Sequence, residues 1–183
     1  MKTPSITAII NLIPTLGWAN FTAEHAASIL EVDSSSIPSK KEILRAFHRH
    51  ITEQLQDTLK AEDLKDIPLW EGIMEVILCR LELLTPYKDS LQKIYTDIQE
   101  DPCLFTESFS LDLLGNDWLW ENISAPYKGI EGKIFEKISI FIYGLTLRHW
   151  LNDESETLES TMAFLDATLQ WIQKSMERLE RLT

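Results

Sequence analysis

GWANFTAEHAASILEVDSSSIPSKKEIL, residues 17–44, is the stretch that decides the fold. Thr22 is a candidate N-cap for a first helix that ends near Leu30. Ser39-Lys40-Lys41-Glu42 forms a capping box pattern, which predicts that a long helix begins there. Of the residues between these two helices, only Asp33–Ile37 remains for the second helix of such a motif. The stretch therefore predicts a helix-turn-helix with a very short second helix.

The shortened second helix bears directly on DNA binding. In a helix-turn-helix protein that binds DNA, this helix lies in the major groove and its first turns contact base edges. The segment Asp33–Ile37 has no Lys or Arg, and serine hydroxyls specify bases poorly. The candidate DNA contacts are three serines and two lysines: Ser34, Ser35, Ser36, Lys40 and Lys41. We expect DNA binding to be lost, with contacts by these five residues as the alternative.

The rest of the chain is also predicted to be helical. It has 183 residues, and its six Gly and seven Pro fall at the ends of long periodic apolar runs. This pattern predicts an all-α protein with about nine helices. A charged stretch at 63–66 predicts a boundary between a helix-turn-helix unit, 1–60, and a larger ligand-binding and dimerisation unit, 61–183. No apolar run reaches the ~20 residues of a membrane span, and no secretory leader is present, so we expect a cytoplasmic protein.

Charge is distributed unevenly along the chain. The formal net charge is −12, yet residues 1–60 hold six basic and six acidic side chains and are neutral. The whole negative charge therefore belongs to residues 61–183. A DNA-binding unit normally presents a basic face that neutralises phosphates. A neutral helix-turn-helix unit, followed by strongly acidic residues 61–183, argues against nucleic acid as a partner.

The helix-turn-helix stretch resembles TetR-type transcriptional regulators. The resemblance lies in the flanks, at Gly17-Trp18, Phe21-Thr22, Ala26-Ala27 and Pro38-Ser39-Lys40. The spacing from Val32 to Lys40 is shorter than in that family, at the position of the recognition helix. The resemblance implies a TetR-like fold, a homodimer formed by the terminal helices, and a ligand-binding domain after the helix-turn-helix.

A second resemblance lies near the end of the chain. Tyr143-Gly144-Leu145, Trp150-Leu151-Asn152-Asp153 and Phe164-Leu165-Asp166 form a spaced series that is similar to the coenzyme Q (ubiquinone) biosynthesis accessory proteins. This family implies a non-catalytic lipid-binding protein with a TetR-like fold, which works with a di-iron hydroxylase of the pathway at a membrane surface. The chain departs from the family at residues 122–137, where the Trp-Tyr pair associated with the hydroxylase is absent.

The C-terminal unit holds the candidate ligand site. Large apolar side chains between helices commonly line such sites, although any one of them can equally fill the core. The candidate lipid-binding residues are Trp70, Ile73, Ile77, Trp118, Ile138, Phe141, Ile142 and Leu145. The implied ligand is a lipid or quinone, and no other cofactor is expected.

The last helix has a slightly basic, amphipathic sequence. Its apolar side carries Trp171, Ile172, Met176 and Leu179, with Lys and Arg residues among them. Such a helix suits the surface of an anionic membrane or the interface of a dimer. Packing or dimerisation is favoured, and peripheral membrane contact is the alternative.

No catalytic or metal-binding pattern is present in the sequence. The four histidines lack metal-ligand spacing, and no phosphate-binding glycine loop or nucleophile elbow occurs. Cys79 and Cys103 are expected to be reduced, buried thiols. The predicted function is therefore a non-enzymatic, lipid-binding accessory protein that presents an isoprenoid quinone precursor to a partner. The alternative is a TetR-type regulator that senses a hydrophobic ligand.

Overall fold

The computed structural model describes residues 4–60, 64, 67–100, 130–155 and 157–180; inside the last two ranges, some side chains lie outside the description. These residues form helices and turns without a strand. The α-helices are α1 Ile6–Ile10, α2 Ile13–Leu16, α3 Ala23–Leu30, α4 Lys40–Thr58, α5 Leu69–Leu84, α6 Lys88–Glu100, α7 Ile130–Leu151 and α8 Glu159–Glu180. Two 3₁₀ turns, Ser34–Ser36 and Thr85–Tyr87, lie between helices.

The all-helical prediction is confirmed by the described residues. Within these ranges, six α-helices reach eight residues or more and α1 and α2 are shorter segments, against about nine helices expected for the whole chain. The periodic apolar runs thus identified the helix type correctly. In the N-terminal region, Pro14 lies in the first turn of α2, where its missing N–H costs nothing.

Local capping begins α3 and α4 as the sequence predicts. Thr22 is extended and its hydroxyl accepts a hydrogen bond from the His25 N–H at 3.2 Å. The Ser39 N–H donates to the Glu42 carboxylate at 2.9 Å, and the Glu42 N–H donates to the Ser39 hydroxyl at 3.4 Å. This reciprocal pair is the predicted capping box.

Contacts divide the described residues into two compact units. The first consists of the chain up to Gln54 together with residues from Leu84 through α6. The second consists of Leu55–Leu83 together with α7 and α8. The predicted boundary near residue 60 stays a prediction, but the contacts add α6 to the unit that contains the helix-turn-helix.

The first unit has a core built around the helix-turn-helix. Trp18 is fully buried and packs at 5.7 Å, centroid to centroid, from the ring of Phe21. Phe47 of α4 contacts Tyr87 edge to face, with centroids 5.0 Å apart. α6 packs on α2. The aromatic side chains of Trp18 and Phe21 thus form part of the core just before α3.

The second unit has an α7–α8 hairpin as its main feature. α7 and α8 pack against each other, and Ile142, Trp150 and Leu165 of these helices are fully buried or nearly so. The turn between them is held by Asp153, which accepts hydrogen bonds from the Ser155 N–H at 2.9 Å and the Thr161 hydroxyl at 3.1 Å. The residues that carry the second sequence resemblance, Tyr143–Asp166, are therefore the residues that build this hairpin.

Candidate functional site

The second helix of the helix-turn-helix is a single 3₁₀ turn, Ser34–Ser36. Glu31 ends α3 in the left-handed region, with φ 54°, and redirects the chain. Asp33 then caps the turn, because its carboxylate accepts from the Ser35 N–H at 2.8 Å and from the Ser35 hydroxyl. Between α3 and α4 the chain therefore holds a 3₁₀ turn and no α-helix.

The five candidate DNA contacts are mostly used inside the protein. The Ser36 hydroxyl donates to the Asp33 carbonyl at 2.6 Å. Lys40 donates to the Ala19 carbonyl at 3.2 Å and lies 5.6 Å from the centre of the Trp18 ring. Ser34 and Lys41 are exposed. Lys40, one of the two lysines expected to contact DNA, is therefore hydrogen-bonded to the backbone just before α3.

The turn also carries a fixed negative charge. Hydrogen bonds from the Ser35 hydroxyl and then the Ser35 N–H lower the pKa of Asp33. Asp33 is therefore ionised at neutral pH, in the place where a DNA-binding protein of this architecture approaches a polyanion. Its charge opposes phosphate contact at this turn.

Sequence reasoning missed a buried acid in α6, which contacts the residues just before α3. Asp97 is buried and accepts a hydrogen bond from the Ala19 N–H at 2.9 Å, while Lys93 pairs with it at 2.8 Å. Gly17 adopts φ 74° in this corner, a conformation that favours glycine. The sequence signal that could have indicated it is the position of Asp97. This acid lies three residues after Ile94, and therefore on the same face of the helix as a buried apolar residue.

Opposing effects act on the ionisation of Asp97. Burial raises the pKa of its carboxyl, whereas hydrogen bonds from Lys93 and from the Ala19 and Trp18 N–H groups lower it. The net result is a lowered pKa. Asp97 is therefore charged in the folded protein and fixes α6 to the corner at Gly17–Ala19.

The predicted lipid-binding residues occupy three different environments. Ile73, Ile77 and Ile142 are buried, Trp70, Ile138 and Leu145 are half-buried, Phe141 is exposed, and Trp118 lies outside the described residues. The structure brings Ile138, Phe141 and Leu145 together on one side of α7, at the spacing i, i+3, i+7.

This side of α7 forms an apolar stripe, which we define as Ile134, Ile138, Phe141 and Leu145. Ile134 is 52% exposed and Phe141 is 61% exposed. Lys133 and Lys137 flank an open groove of about 460 Å³ along its first half. The opposite side of the same helix is buried at Ile142. α7 is therefore apolar on more than one face.

A second depression lies at the α7–α8 turn. His149 stacks on Phe164 with ring centroids 4.4 Å apart, and its Nε2 lies 3.1 Å from the Ser160 hydroxyl. The open pocket beside them measures about 590 Å³ and is lined by charged side chains of both signs, including Arg148 and Glu154. These contacts join the end of α7 to the start of α8.

The predicted apolar face of α8 is divided. Trp171 is 69% exposed, whereas its neighbour Ile172 is buried and Met176 is half-buried. The Leu179 side chain lies outside the described residues. Adjacent helical residues point about 100° apart, so Trp171 and Ile172 lie in different environments, and the role of this face in a dimer or at a membrane stays a prediction.

Metal and thiol chemistry have little support in the described part of the chain. No group of three His, Cys, Asp or Glu side chains there could hold a metal ion. Cys79 is a buried free thiol, and burial followed by the charges of Glu82 and Glu75 raises its pKa. This thiol is therefore protonated and a poor nucleophile at neutral pH. Cys103 lies outside the described residues, and the absence of catalysis stays a prediction.

Comparison with solved structures identifies the fold. The chain is similar to the crystal structure of a TetR transcriptional regulator from Nitrosomonas europaea, with a TM-score of 0.69 over 91% of this chain and 94% of that one. The chain has a TetR-like fold. Sequence identity over the match is 17%, so the likeness concerns the fold alone.

Sequence comparisons add no family. No protein-family model matches the chain, and no curated protein matches it. The resemblance to the coenzyme Q accessory proteins therefore stays a prediction. None of the helices in the described ranges is long and apolar enough to cross a membrane.

Proposed function

We propose that this chain is a non-catalytic protein that binds a hydrophobic ligand in its second unit and does not bind a specific DNA sequence. The observation that carries the proposal is the turn Ser34–Ser36. A protein of this fold that binds DNA by base contacts needs a helix there. The chain keeps the scaffold around that position and lacks the element that contacts DNA.

Electrostatics support the loss of DNA binding. DNA affinity depends on Lys and Arg side chains that neutralise phosphates and release counterions. Here the acidic Asp33 caps the turn, and Lys40 donates to a backbone carbonyl. The whole chain also carries a net charge of −12. The motif thus lacks the base-contacting helix, and one of its two candidate phosphate-binding lysines is hydrogen-bonded within the protein.

The chemistry of α7 supports a hydrophobic ligand. This helix has apolar side chains on its buried side and along its exposed stripe, at Ile134 and Phe141. A helix that is apolar on several faces is normally surrounded by protein or by ligand. We therefore propose that the apolar stripe, from Ile134 to Leu145, takes part in ligand contact.

The finer assignment rests on the similarity of Tyr143–Asp166 to the coenzyme Q accessory proteins. Within the proposal, this similarity supports an isoprenoid quinone precursor as the ligand and presentation to a hydroxylase as the role. The absence of the Trp-Tyr pair at 122–137 weakens the case for the hydroxylase. The lipid part of the proposal does not depend on that pair.

The second candidate function is a TetR-type regulator that senses a hydrophobic ligand. The likeness to a TetR regulator over 94% of that chain favours it, and the comparisons support it better than they support a role in the quinone pathway. It requires DNA contact through Lys41 and the exposed serines of the turn, without a recognition helix. The local geometry of Ser34–Ser36 supports the first candidate.

A homodimer is proposed with either function. The TetR resemblance implies pairing through the terminal helices, and Phe141 and Trp171 are large exposed apolar residues on α7 and α8. Contact of these residues with a membrane surface is the alternative use. Sedimentation velocity with and without anionic vesicles separates the two, because only the dimer persists in their absence.

Extraction of the protein tests ligand binding. The protein is purified from its own host without detergent and extracted with organic solvent, and the extract is analysed by mass spectrometry. We expect an apolar molecule near one equivalent per chain. A control protein of similar size and charge, purified in parallel, measures carry-over. An extract no richer in lipid than this control contradicts the proposal.

A further inference from the structure

Gly144 lies in the interior of α7, and crowding within the chain does not account for a glycine there. The helix extends well beyond it on both sides. Glycine in a helix interior is destabilising relative to alanine, because it loses more backbone freedom on folding. A Cβ added at Gly144 would meet no atom of the described residues within 4 Å. A larger residue would therefore fit at this position in a single chain.

The side of α7 that carries Gly144 faces solvent, and we define it as the outer face: Lys137, Phe141, Gly144 and Arg148. These residues follow one another at three or four positions, so they lie along one side of the helix. Lys137 and Arg148 are exposed, and Phe141 is 61% exposed. The outer face therefore combines a large apolar ring and two cations with an open position at its centre.

A glycine at the centre of an exposed helix face favours another helix as the partner. Without a side chain between them, two backbones can approach closely, and the larger neighbours on each side reach across to the partner. A lipid surface gains nothing from a missing side chain at the centre of a face that binds through apolar area and charge. The combination of Gly144 with Phe141 and Arg148 thus fits a packed helix pair.

The order of charges along α7 selects an antiparallel second copy. In a parallel two-fold pair, Arg148 would face the partner's Arg148, and like charges in an interface are unfavourable. In an antiparallel pair that crosses at Gly144, residues about equally far before and after the glycine face each other. Phe141 then lies opposite the partner's Arg148, an arrangement that suits a cation–π contact.

The ends of the helix agree with the antiparallel direction. Lys133 and Glu154 are both exposed, and they lie about equally far from Gly144 on opposite sides of it. An antiparallel crossing brings Lys133 near the partner's Glu154, and the two-fold axis repeats this pair of opposite charges. The charge pattern of the helix is therefore complementary to its own reverse.

We propose that the outer face of α7 forms the dimer interface, with the α7 helices of two copies crossing in antiparallel direction at Gly144. The proposal rests on the proposed homodimer and adds the surface, the direction of the helices and the residue at the crossing. Phe141 belongs to both the outer face and the apolar stripe. The other residues of the stripe lie on the adjoining side of α7 and stay with the proposed ligand contact.

The first test places a large side chain at the crossing. Self-association of the full-length protein is measured by sedimentation equilibrium over a concentration series. Gly144→Leu should raise the dimer dissociation constant at least about tenfold, because the added side chain separates the two backbones. Gln56→Leu is the matched control, since Gln56 is exposed on α4. This variant adds the same apolar side chain elsewhere and should dimerise as the unmodified protein does.

Gly144→Ala separates a role in the dimer from a role in the fold. Alanine has the higher helix propensity, so the thermal midpoint of this variant should rise at concentrations where the chain is monomeric. Its dimer should nevertheless dissociate more readily, by several-fold, because the Cβ occupies the crossing. An increase in monomer stability without weaker association contradicts close approach at Gly144.

A charge exchange tests the antiparallel direction. Lys133→Glu should weaken the dimer several-fold, because two acidic side chains then approach each other across the interface. Combining Lys133→Glu with Glu154→Lys should restore the association. A parallel pair predicts no restoration, since it keeps the two positions at opposite ends of the interface.

The results distinguish this interface from the homodimer itself. A dimer that survives Gly144→Leu overturns the outer face as the interface and leaves a homodimer through another surface. Dissociation by Gly144→Leu without restoration by the charge exchange overturns the antiparallel crossing. An unmodified protein that stays monomeric throughout the concentration series overturns both the homodimer and this interface, while ligand binding is decided separately by the extraction.

Discussion

The corner at Gly17–Ala19 in the first unit and the buried side of α7 in the second unit differ in how their polar side chains are hydrogen-bonded. Asp97 is buried at the corner, and Ser139 is buried on α7. Asp97 receives hydrogen bonds from two backbone N–H groups and from Lys93. The Ser139 hydroxyl has no hydrogen-bond partner. The buried acid is therefore satisfied within the chain, whereas the buried hydroxyl is not.

Of the predicted changes in stability, the largest should follow the removal of Asp97. Asp97→Ala deletes the acceptor for the Ala19 N–H and leaves Lys93 without its partner, so we expect a loss of about 3 kcal/mol in the free energy of unfolding. Urea unfolding followed by circular dichroism measures the loss.

Lys93→Ala is the control for Asp97→Ala. The Lys93 side chain is 44% exposed, so its removal should cost much less than removal of the buried acid. Equal losses for the two variants would assign the stabilisation to the ion pair and contradict the role of the backbone hydrogen bonds.

The second prediction concerns the unsatisfied hydroxyl in the delipidated protein. Ser139→Ala removes a buried polar atom that has no partner, whereas Ser175→Ala removes one that donates a hydrogen bond. Both variants replace a helical serine by alanine, so helix propensity changes equally in the two. The difference between their free energies of unfolding therefore reports on the hydrogen bond. We expect Ser139→Ala to be the more stable variant by about 1 kcal/mol. The reverse order, measured by urea unfolding, would show that Ser139 is satisfied within the protein.

The capping box should contribute a similar or smaller amount. Ser39→Ala removes the cap of α4 and should lower the free energy of unfolding by about 1 kcal/mol. The neighbouring Ser34 is exposed, and Ser34→Ala serves as the control with little expected change. Indistinguishable midpoints for the two variants in a chemical denaturation experiment would argue against the capping box.

The smallest effect should appear in the pH dependence of stability. The pKa of Asp97 is lowered in the folded state by hydrogen bonds that outweigh burial. Its contribution is therefore complete above the unfolded value of about 3.9 and is lost as the pH falls through the folded value. Asp97→Asn should flatten the acid limb of a plot of unfolding free energy against pH. An unchanged limb would mean that other carboxylates control acid unfolding.

Sequence reasoning succeeded where the determining contacts are local. The Thr22 cap spans three residues, and so does the capping box of Ser39 and Glu42. Their side chains and the backbone groups they bind are fixed by the same turn of helix. The loss of the recognition helix was predictable for the same reason, because it depends on the number and type of residues between two caps.

Contacts between distant parts of the chain were not predictable from the pattern alone. Asp97 binds the N–H of a residue 78 positions earlier, and Arg80 binds Tyr143 across 63 positions. α7 carries apolar residues on several faces, so its periodicity did not indicate which of them are buried. This is why Ile142 and Phe141, adjacent members of one predicted site, have opposite environments.

Selection of genomic DNA fragments on the purified protein tests the central claim most directly. The fragments are bound at low salt, where electrostatic contacts are strongest, and are sequenced after several rounds with and without an added lipid extract of the host. We predict no enriched sequence under either condition, because Ser34–Ser36 provides no helix for base contacts. Enrichment of a palindrome, with affinity that falls as salt rises, would contradict the account and identify the protein as a regulator.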